Sequence, residues 1–384
     1  MDTSASSVYF DNAATTYPKP EGVYRAMDSF MREVGGSAGR SAHKRAFLTG
    51  RTVYGARESL AGLFNVSDPL RIAFTKNATE ALNIAILGLL KPGEHVVTSS
   101  IEHNSVMRPL EAARAGGISY SIAGCGPDGS LDPSDVEKEI RLETSLMVLT
   151  HASNVTGTIM PVADVAAIAR DRGIPLLVDA AQTAGRLAID VGAQGIDILA
   201  FTGHKELFGP QGTGGIFLRE GLEVRPLMYG GTGSHSSSLE QPREMPDALE
   251  SGTINSAGIA GLAAGVDFVS TEGVANIREH EVTLLEHMLE GLERMPGTTV
   301  YGPRDARDRL GIVPLTFEGH SPAEVAKILD ERYGIACRAG LHCAPMAHRT
   351  IGTMETGALR VSFSYLNTTE EVGYLLECLS EITR

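Results

Sequence analysis

Cysteine is scarce in this chain of 384 residues: Cys125, Cys337, Cys343 and Cys378 are the four present. They have none of the tight, even spacing of a small disulfide-stapled secreted domain, so a reducing compartment is expected. Long apolar runs are missing too. The longest, such as Ala81 to Leu90, fall short of the roughly 20 residues that span a bilayer. Met1, Asp2, Thr3 and Ser4 do not form a basic region leading into an apolar one, so no secretory leader is expected and the reading is cytoplasmic, with no membrane partner. Positive charge is in the minority, 33 Lys and Arg against 47 Asp and Glu, for a formal net charge of -14. Nucleic acid and anionic membrane surfaces would repel such a chain, which leaves small molecules and selected proteins as partners. No internal repeat or low-complexity tract is visible.

What is present is the balance of a soluble globular protein, with 42% hydrophobic and 21% charged residues. A chain of this length exceeds the size of a single core, so one large and one smaller domain are expected. Short apolar runs alternate with helical stretches through the first 255 residues, the pattern of a parallel sheet with helices on both faces. Strands are predicted at Arg71 to Phe74, His95 to Ser99, Ile118 to Ile122, Leu146 to Thr150, Leu176 to Ala180, Ile198 to Phe201 and Gly215 to Leu218. Helices are predicted at Ala78 to Leu90, Ser105 to Ala115 and Val162 to Arg172. From Asn255 onward the texture changes to long helices at Ala257 to Val269 and Ala275 to Arg294. Strands near Ile312 to Phe317 and Ala358 to Phe363 follow, with helices near Pro322 to Glu331 and Thr369 to Ile382. The expected division is a large α/β domain over 17–255 and a small α+β domain from 1–16 with 256–384. Gly230 to Pro246, rich in Gly, Ser and Pro, reads as a long mobile loop.

Three segments carry chemistry. In Phe201-Thr202-Gly203-His204-Lys205 a lysine follows an apolar strand and precedes a Gly/Pro-rich turn. Partial desolvation at a sheet edge would supply the free amine that a Schiff-base lysine needs; the alternative is a surface lysine at a strand end. In Leu176-Leu177-Val178-Asp179-Ala180-Ala181-Gln182 an acid closes a buried-looking strand. Ligands of parallel sheets bind at such carboxyl ends, and pyridoxal phosphate needs an acid on its ring nitrogen; helix capping by Asp179 is the competing reading. Asn77-Ala78-Thr79-Glu80 has capping-box spacing between a strand and an apolar helix. That helix N-terminus either cradles a phosphate with its N–H groups and the Thr79 hydroxyl or is simply capped.

Taken in order, these segments form a set with Asp11-Asn12-Ala13-Ala14-Thr15, Glu102-His103-Asn104-Ser105, Asn154-Val155-Thr156-Gly157 and Arg338-Ala339-Gly340-Leu341-His342-Cys343. The ordered set resembles the cysteine desulfurase and selenocysteine lyase family, within the class-V aminotransferases, from about Tyr9 to the C-terminus. The resemblance implies the α/β fold of a fold-type-I pyridoxal-phosphate-dependent transferase: a large domain with a mostly parallel seven-stranded sheet, plus the smaller α+β domain. It also implies Lys205 as the lysine that carries the cofactor, Asp179 on the pyridine nitrogen, Gln182 near the ring hydroxyl and His103 stacked on the ring. Ala78, Thr79, Thr202 and His204 would hold the phosphate, and Asn154 would sit beside the cofactor and the substrate carboxylate, with Asn12 on the substrate. Gly252-Thr253 matches a pair that the family brings to the phosphate from a neighbouring subunit, so a homodimer with shared sites is expected. No metal is.

Arg360 lies within an apolar strand pattern, where its charge must find a partner: a substrate carboxylate, as the resemblance implies, or a structural acid. Cys343, in a Gly- and His-containing loop, is the candidate sulfur acceptor, with Arg338 and His342 as neighbours able to favour its thiolate. The other three cysteines read as small buried apolar residues. The implied reaction converts L-cysteine to L-alanine with sulfur passing to Cys343 as a persulfide and then to an acceptor, which can be a protein. Leu341 stands where many relatives have a histidine, which bears on acceptor choice, and the short stretch from Cys343 to Arg360 implies a compact cysteine loop. A selenocysteine lyase, a cysteine β-lyase releasing pyruvate, and a scaffold with little turnover are the alternatives.

Overall fold

The computed structural model describes residues 8–39, 42–235 and 237–383. The first part of the chain runs β1 (Val8–Tyr9), α1 (Glu21–Ser29), α2 (Lys44–Phe64), β2 (Ile72–Thr75), α3 (Ala78–Leu89), β3 (His95–Ser99), α4 (Asn104–Arg114), β4 (Ser119–Ala123), α5 (Pro133–Lys138), β5 (Thr144–Thr150), α6 (Val162–Asp171), β6 (Leu176–Asp179), β7 (Ile198–Thr202) and β8 (Gly214–Leu218). The second runs α7 (Ser256–Glu272), α8 (Val274–Glu293), β9 (Thr298–Val300), β10 (Ile312–Phe317), α9 (Pro322–Tyr333), β11 (Ile335–Ala336), β12 (Arg338–Gly340), α10 (Pro345–Thr350), β13 (Ala358–Ser362) and α11 (Thr369–Ile382).

Seven strands form one sheet in the order β2-β8-β7-β6-β5-β3-β4, parallel except for β8, which is antiparallel to both of its neighbours. Its central strands are apolar without alternation because both faces are covered. Val97, Leu149, Val178 and Leu199 pack against Leu60 of α2, Val165 of α6 and Leu262 of α7. Val96, Val148, Leu177 and Ile198 meet Leu82 and Ile86 of α3 and Val106 of α4 on the other face. Each such side chain contributes roughly 1.5–3 kcal/mol by leaving water.

The second sheet, β12-β13-β10-β9, is antiparallel. Leu285 and Met288 of α8, Leu329 of α9 and Leu375 and Leu379 of α11 cover it. The N-terminal segment belongs to this sheet's surroundings: β1 pairs with β11 in parallel, and Ser362 N–H donates to the Phe10 carbonyl at 2.7 Å. Phe10 then packs edge-on against Phe363, 5.5 Å between ring centres.

Strands and helices fall within a residue or two of the predicted positions in most cases. The sequence reading left out α1, α5, α10 and the short strands β1, β9, β11 and β12, and the longest element it missed is α2. Gly50, Gly55 and Gly62 lower its helix propensity, and the buried Arg57 interrupts its apolar face. Tertiary contacts decide the matter: Arg57 pairs with Glu250 at 2.6 Å and lies over the Phe74 ring. Segment 230–246 has neither helix nor strand among its described residues, and Gln241 ties it to Gly230 and Ser251. Among the described residues no helix is long and apolar enough to cross a membrane, and no acid, histidine and cysteine cluster is arranged to hold a metal.

Candidate active site

The parallel strands deliver their last residues to one edge. Thr75, Ser99, Thr150, Asp179 and Thr202 end β2, β3, β5, β6 and β7, and the N-termini of α3 and α4 open toward the same place. A cavity of about 250 Å³ lies there, between the two sheets. Its lining includes Ala78, Thr79, His103, Asn154, Asp179, Gln182, Thr202, His204, Lys205, Cys343 and Arg360. Sequence positions from 78 to 360 thus meet in one place, including ten of the eleven candidates named for catalysis or cofactor binding.

Asp179 is buried, and the Ala181 N–H donates to its Oδ1 at 2.9 Å. Burial raises its carboxyl above the usual range, against the pull of that hydrogen bond and of Lys205. Lys205 is shifted the opposite way: desolvation lowers its ammonium to about 8, helped by Arg360, Arg186 and Arg338 and opposed by Asp179. The Lys205 turn is held from below, where the Lys19 ammonium donates to the His204 carbonyl at 2.7 Å and the Thr15 hydroxyl to the same oxygen at 3.0 Å. Glu102, fully buried, accepts from the Ser99 hydroxyl and the Thr150 N–H on one oxygen, at 2.6 and 2.9 Å. Burial pushes it up to about 8, so it is a neutral brace between β3 and β5.

Asn77 caps α3, its Oδ1 accepting from Glu80 N–H at 2.9 Å. The expected reciprocal bond is displaced by one residue, because Glu80 accepts from Lys76 N–H at 2.6 Å. That leaves the first N–H groups of α3 open to the cavity beside Thr79, whose hydroxyl meets that of Ser105 at 2.7 Å. His103 caps α4: its Nδ1 accepts from Ser105 N–H at 3.0 Å, so its remaining proton is on Nε2. Desolvation lowers it to about 3, with Lys205 and Arg360 adding to the effect, and the ring is neutral.

Arg360 is 1% exposed, and both of its terminal nitrogens are engaged. One bonds Asp11 at 2.7 Å and the other the Asn154 carbonyl at 3.0 Å. The structural acid of the sequence reading therefore exists, and the guanidinium still lines the cavity. Cys343 is exposed, with an Arg338 nitrogen 3.9 Å from Sγ. Its carbonyl accepts from Asn104 N–H at 2.8 Å, and the His342 carbonyl accepts from Asn154 Nδ2 at 2.8 Å. His342 and Cys343 both take left-handed backbone angles, φ 51° and 57°, a conformation that costs about 1 kcal/mol or more for each non-glycine residue.

Two expectations need correction, those for Asn12 and His342. Asn12 does not reach the cavity: it is fully buried, and its amide lies within hydrogen-bond distance of the Tyr9 and Ser362 carbonyls and of Asn367. It joins the N-terminal segment to β13. Thr253, expected to serve a neighbouring subunit, lines with Gly252 a separate cavity beside Tyr54 and Arg57. His342 cannot favour the Cys343 thiolate through charge, since desolvation and Arg360 lower it to about 3 and it turns inward to His348. Ala13, Ala14, Ser105 and Thr150 also line the cavity, without having been singled out as site residues. Small size and a place in or near a flagged motif were their only sequence signals.

A lysine made partly neutral by burial, an acid beneath it and an open helix N-terminus at a parallel sheet edge define a class of protein, the α/β enzymes built around an anionic, carbonyl-bearing cofactor. The family model for aminotransferase class-V matches residues 8–375, and the chain belongs to that family. A probable cysteine desulfurase of Methanothermobacter thermautotrophicus is 38% identical, over 98% of this chain and 94% of the relative. A cysteine desulfurase of Serratia proteamaculans is 32% identical, over 98% and 93%. Among solved structures, the apo cysteine desulfurase from Thermococcus onnurineus NA1 superposes with a TM-score of 0.93 at 34% identity, covering 98% of this chain and 94% of that one. The Escherichia coli cysteine desulfurase CsdA in an S-sulfonic acid form gives 0.88 at 30%, covering 98% and 94%. The fold is accordingly that of the fold-type-I enzymes, with a mostly parallel seven-stranded sheet.

The cavity's polar atoms fit pyridoxal phosphate. Gln182 Oε1 and His204 Nδ1 are buried without a hydrogen-bond partner among the described residues, and both residues line the cavity together with Asp179, Ala78 and Thr79. An unmatched acceptor beside a buried acid suits a ring hydroxyl and a ring N–H; an unmatched imidazole nitrogen beside free backbone donors suits a phosphate.

Proposed function

We propose that this chain is a pyridoxal-phosphate-dependent cysteine desulfurase that converts L-cysteine to L-alanine and takes the sulfur on Cys343. The observation that carries this reading is the presence of the exposed Cys343 thiol, the buried Lys205 amine and the Arg360 side chain in the lining of one cavity. Bound in that cavity, the cofactor would supply an electron sink for the loss of the substrate α-proton. Lys205 would hold the cofactor through its amine, and as a free amine it would remove the substrate α-proton as general base. Asp179 would keep a proton on the ring nitrogen, Gln182 would hold the ring hydroxyl, and neutral His103 would pack on the ring and hand a proton on from Nε2. The α3 N–H groups at Ala78 and Thr79, with Thr202 and His204, would hold the phosphate. Arg360 and Asn154 orient the substrate carboxylate, and Cys343 attacks the substrate sulfur.

The domain division at 17–255 against 1–16 with 256–384 is part of this proposal, although residues 1–7 lie outside the described set. The connecting α7 has Leu262 and Val266 in the core of the large sheet. A homodimer is proposed as well. Met31, Phe47, Tyr54, Met228 and Tyr229 are all exposed, and Thr253 gains a role only in a partner's cavity. A sulfur-acceptor protein fits a persulfide at the exposed Cys343.

The test is product identity. Purified protein loaded with pyridoxal phosphate and given L-cysteine should yield alanine and transferable sulfur in equal amounts. Pyruvate and ammonia in place of alanine would support a β-lyase and overturn the proposal.

A further inference from the structure

We propose that His342, His348 and Thr353 form a hydrogen-bonded strut that positions Cys343 for sulfur transfer, an inference resting on the desulfurase reading above. Fixed chemistry determines the direction of every bond in it. The Arg338 carbonyl can only accept, so His342 Nε2, 3.2 Å away, carries the proton. His342 Nδ1 must then accept, and at 3.2 Å it faces Nε2 of His348, which donates. His348 Nδ1 is left to accept from the Thr353 hydroxyl at 2.7 Å. The two rings stack, 5.3 Å apart and 23° from parallel.

The far end of the strut is anchored. His348 is fully buried in α10, its carbonyl accepts from Thr353 N–H at 2.8 Å, and the Thr350 hydroxyl donates to the Ser100 carbonyl at 3.0 Å, beyond the end of β3. The near end is one residue from the thiol. His342 and Cys343 sit at successive left-handed positions that neither residue adopts unaided. The bonds from Asn154 and Asn104 hold the carbonyls of this turn, whereas the strut holds its side-chain face. Each ring supplies one proton, so the chain of bonds requires both to be neutral. Desolvation supports this, lowering His342 to about 3 and His348 to about 4.

His348 and Thr353 touch neither substrate nor cofactor and are positioning residues, so the test separates thiol-dependent chemistry from the rest. 3-Chloro-L-alanine loses chloride without help from a thiol, giving pyruvate, ammonium and chloride after water adds, and needs only the cofactor and Lys205. In His348→Phe, kcat for L-cysteine is expected to fall about 10-fold or more with KM within about twofold, while the initial rate with 3-chloro-L-alanine stays within about twofold of wild type. In the cofactor-free protein, amide hydrogen exchange over residues 341–344 should accelerate by about 10-fold or more, with the seven-stranded sheet unaffected. Thr353→Val, which removes only the last bond, should shift all readouts in the same direction by about threefold, and it decides the matter if His348→Phe does not fold. A parallel loss with both substrates, or unchanged cysteine turnover and unchanged exchange, overturns the strut. If wild type makes no alanine from cysteine, the desulfurase reading fails instead, and unaltered exchange in the variants then overturns the strut on its own.

Discussion

The floor and the rim of the cavity are built by different means. The floor, Asp179, Gln182, Thr202 and Lys205, sits at the end of a parallel sheet whose strands are buried on both faces. Its side chains are tuned by loss of water: burial pushes Asp179 up and Lys205 down, and Gln182 keeps an unmatched oxygen. The rim, Arg338, Cys343 and Arg360, comes from the antiparallel sheet and the turn beside it. There the thiol is exposed, and backbone hydrogen bonds together with a left-handed turn set its place. Desolvation prepares the amine chemistry and geometry prepares the sulfur chemistry, so damage to the floor and damage to the rim should have different consequences.

The largest expected effect is at the floor. Lys205→Ala should lower turnover of L-cysteine and 3-chloro-L-alanine alike by roughly four orders of magnitude, because the base for both is gone; loss of only one activity would break the distinction. At the rim, Arg360→Lys should raise KM for L-cysteine about 10- to 100-fold, since an ammonium cannot reproduce the guanidinium fork, with cofactor absorbance unchanged. A KM within twofold of wild type would assign Arg360 to Asp11 alone. The floor's tuning has a pH signature. The neutral amine of Lys205 predominates above about 8, so uptake of pyridoxal phosphate by cofactor-free protein should quicken about 10-fold from pH 6 to 7 and level off above about 8. An unshifted lysine would keep gaining up to about pH 10. The smallest effect concerns a residue in neither region. Asn12→Ala should destabilise the fold by about 2 kcal/mol in denaturant unfolding, by stranding buried carbonyls, with KM for L-cysteine unaltered; a raised KM would return Asn12 to the substrate.

Most of the floor was legible in the sequence because its chemistry is local. Asp179 closes an apolar strand, Lys205 follows one by three residues, and Thr79 follows a strand and a cap, so periodicity alone brings them to one sheet edge. The rim was less legible because its partners are distant along the chain. Asp11 lies 349 positions from Arg360, and Asn12 lies 350 from Ser362, separations at which no spacing rule operates. His348 stands alone in sequence, and only the packing of α10 turns it toward His342. The missed α2 has the same cause, since Glu250 and the neighbouring helix α7 stabilise a segment with three glycines in it.

The most direct test of the account is a single turnover of L-cysteine without an acceptor, followed by mass spectrometry of the peptide that carries Cys343, in wild type and in Cys343→Ala. The account predicts one added sulfur atom on Cys343 and one alanine per site in wild type, with Cys343→Ala keeping its cofactor absorbance and its 3-chloro-L-alanine activity but forming no alanine from cysteine. Alanine formed equally by both proteins, or sulfur found on Cys125, Cys337 or Cys378 instead, would contradict it.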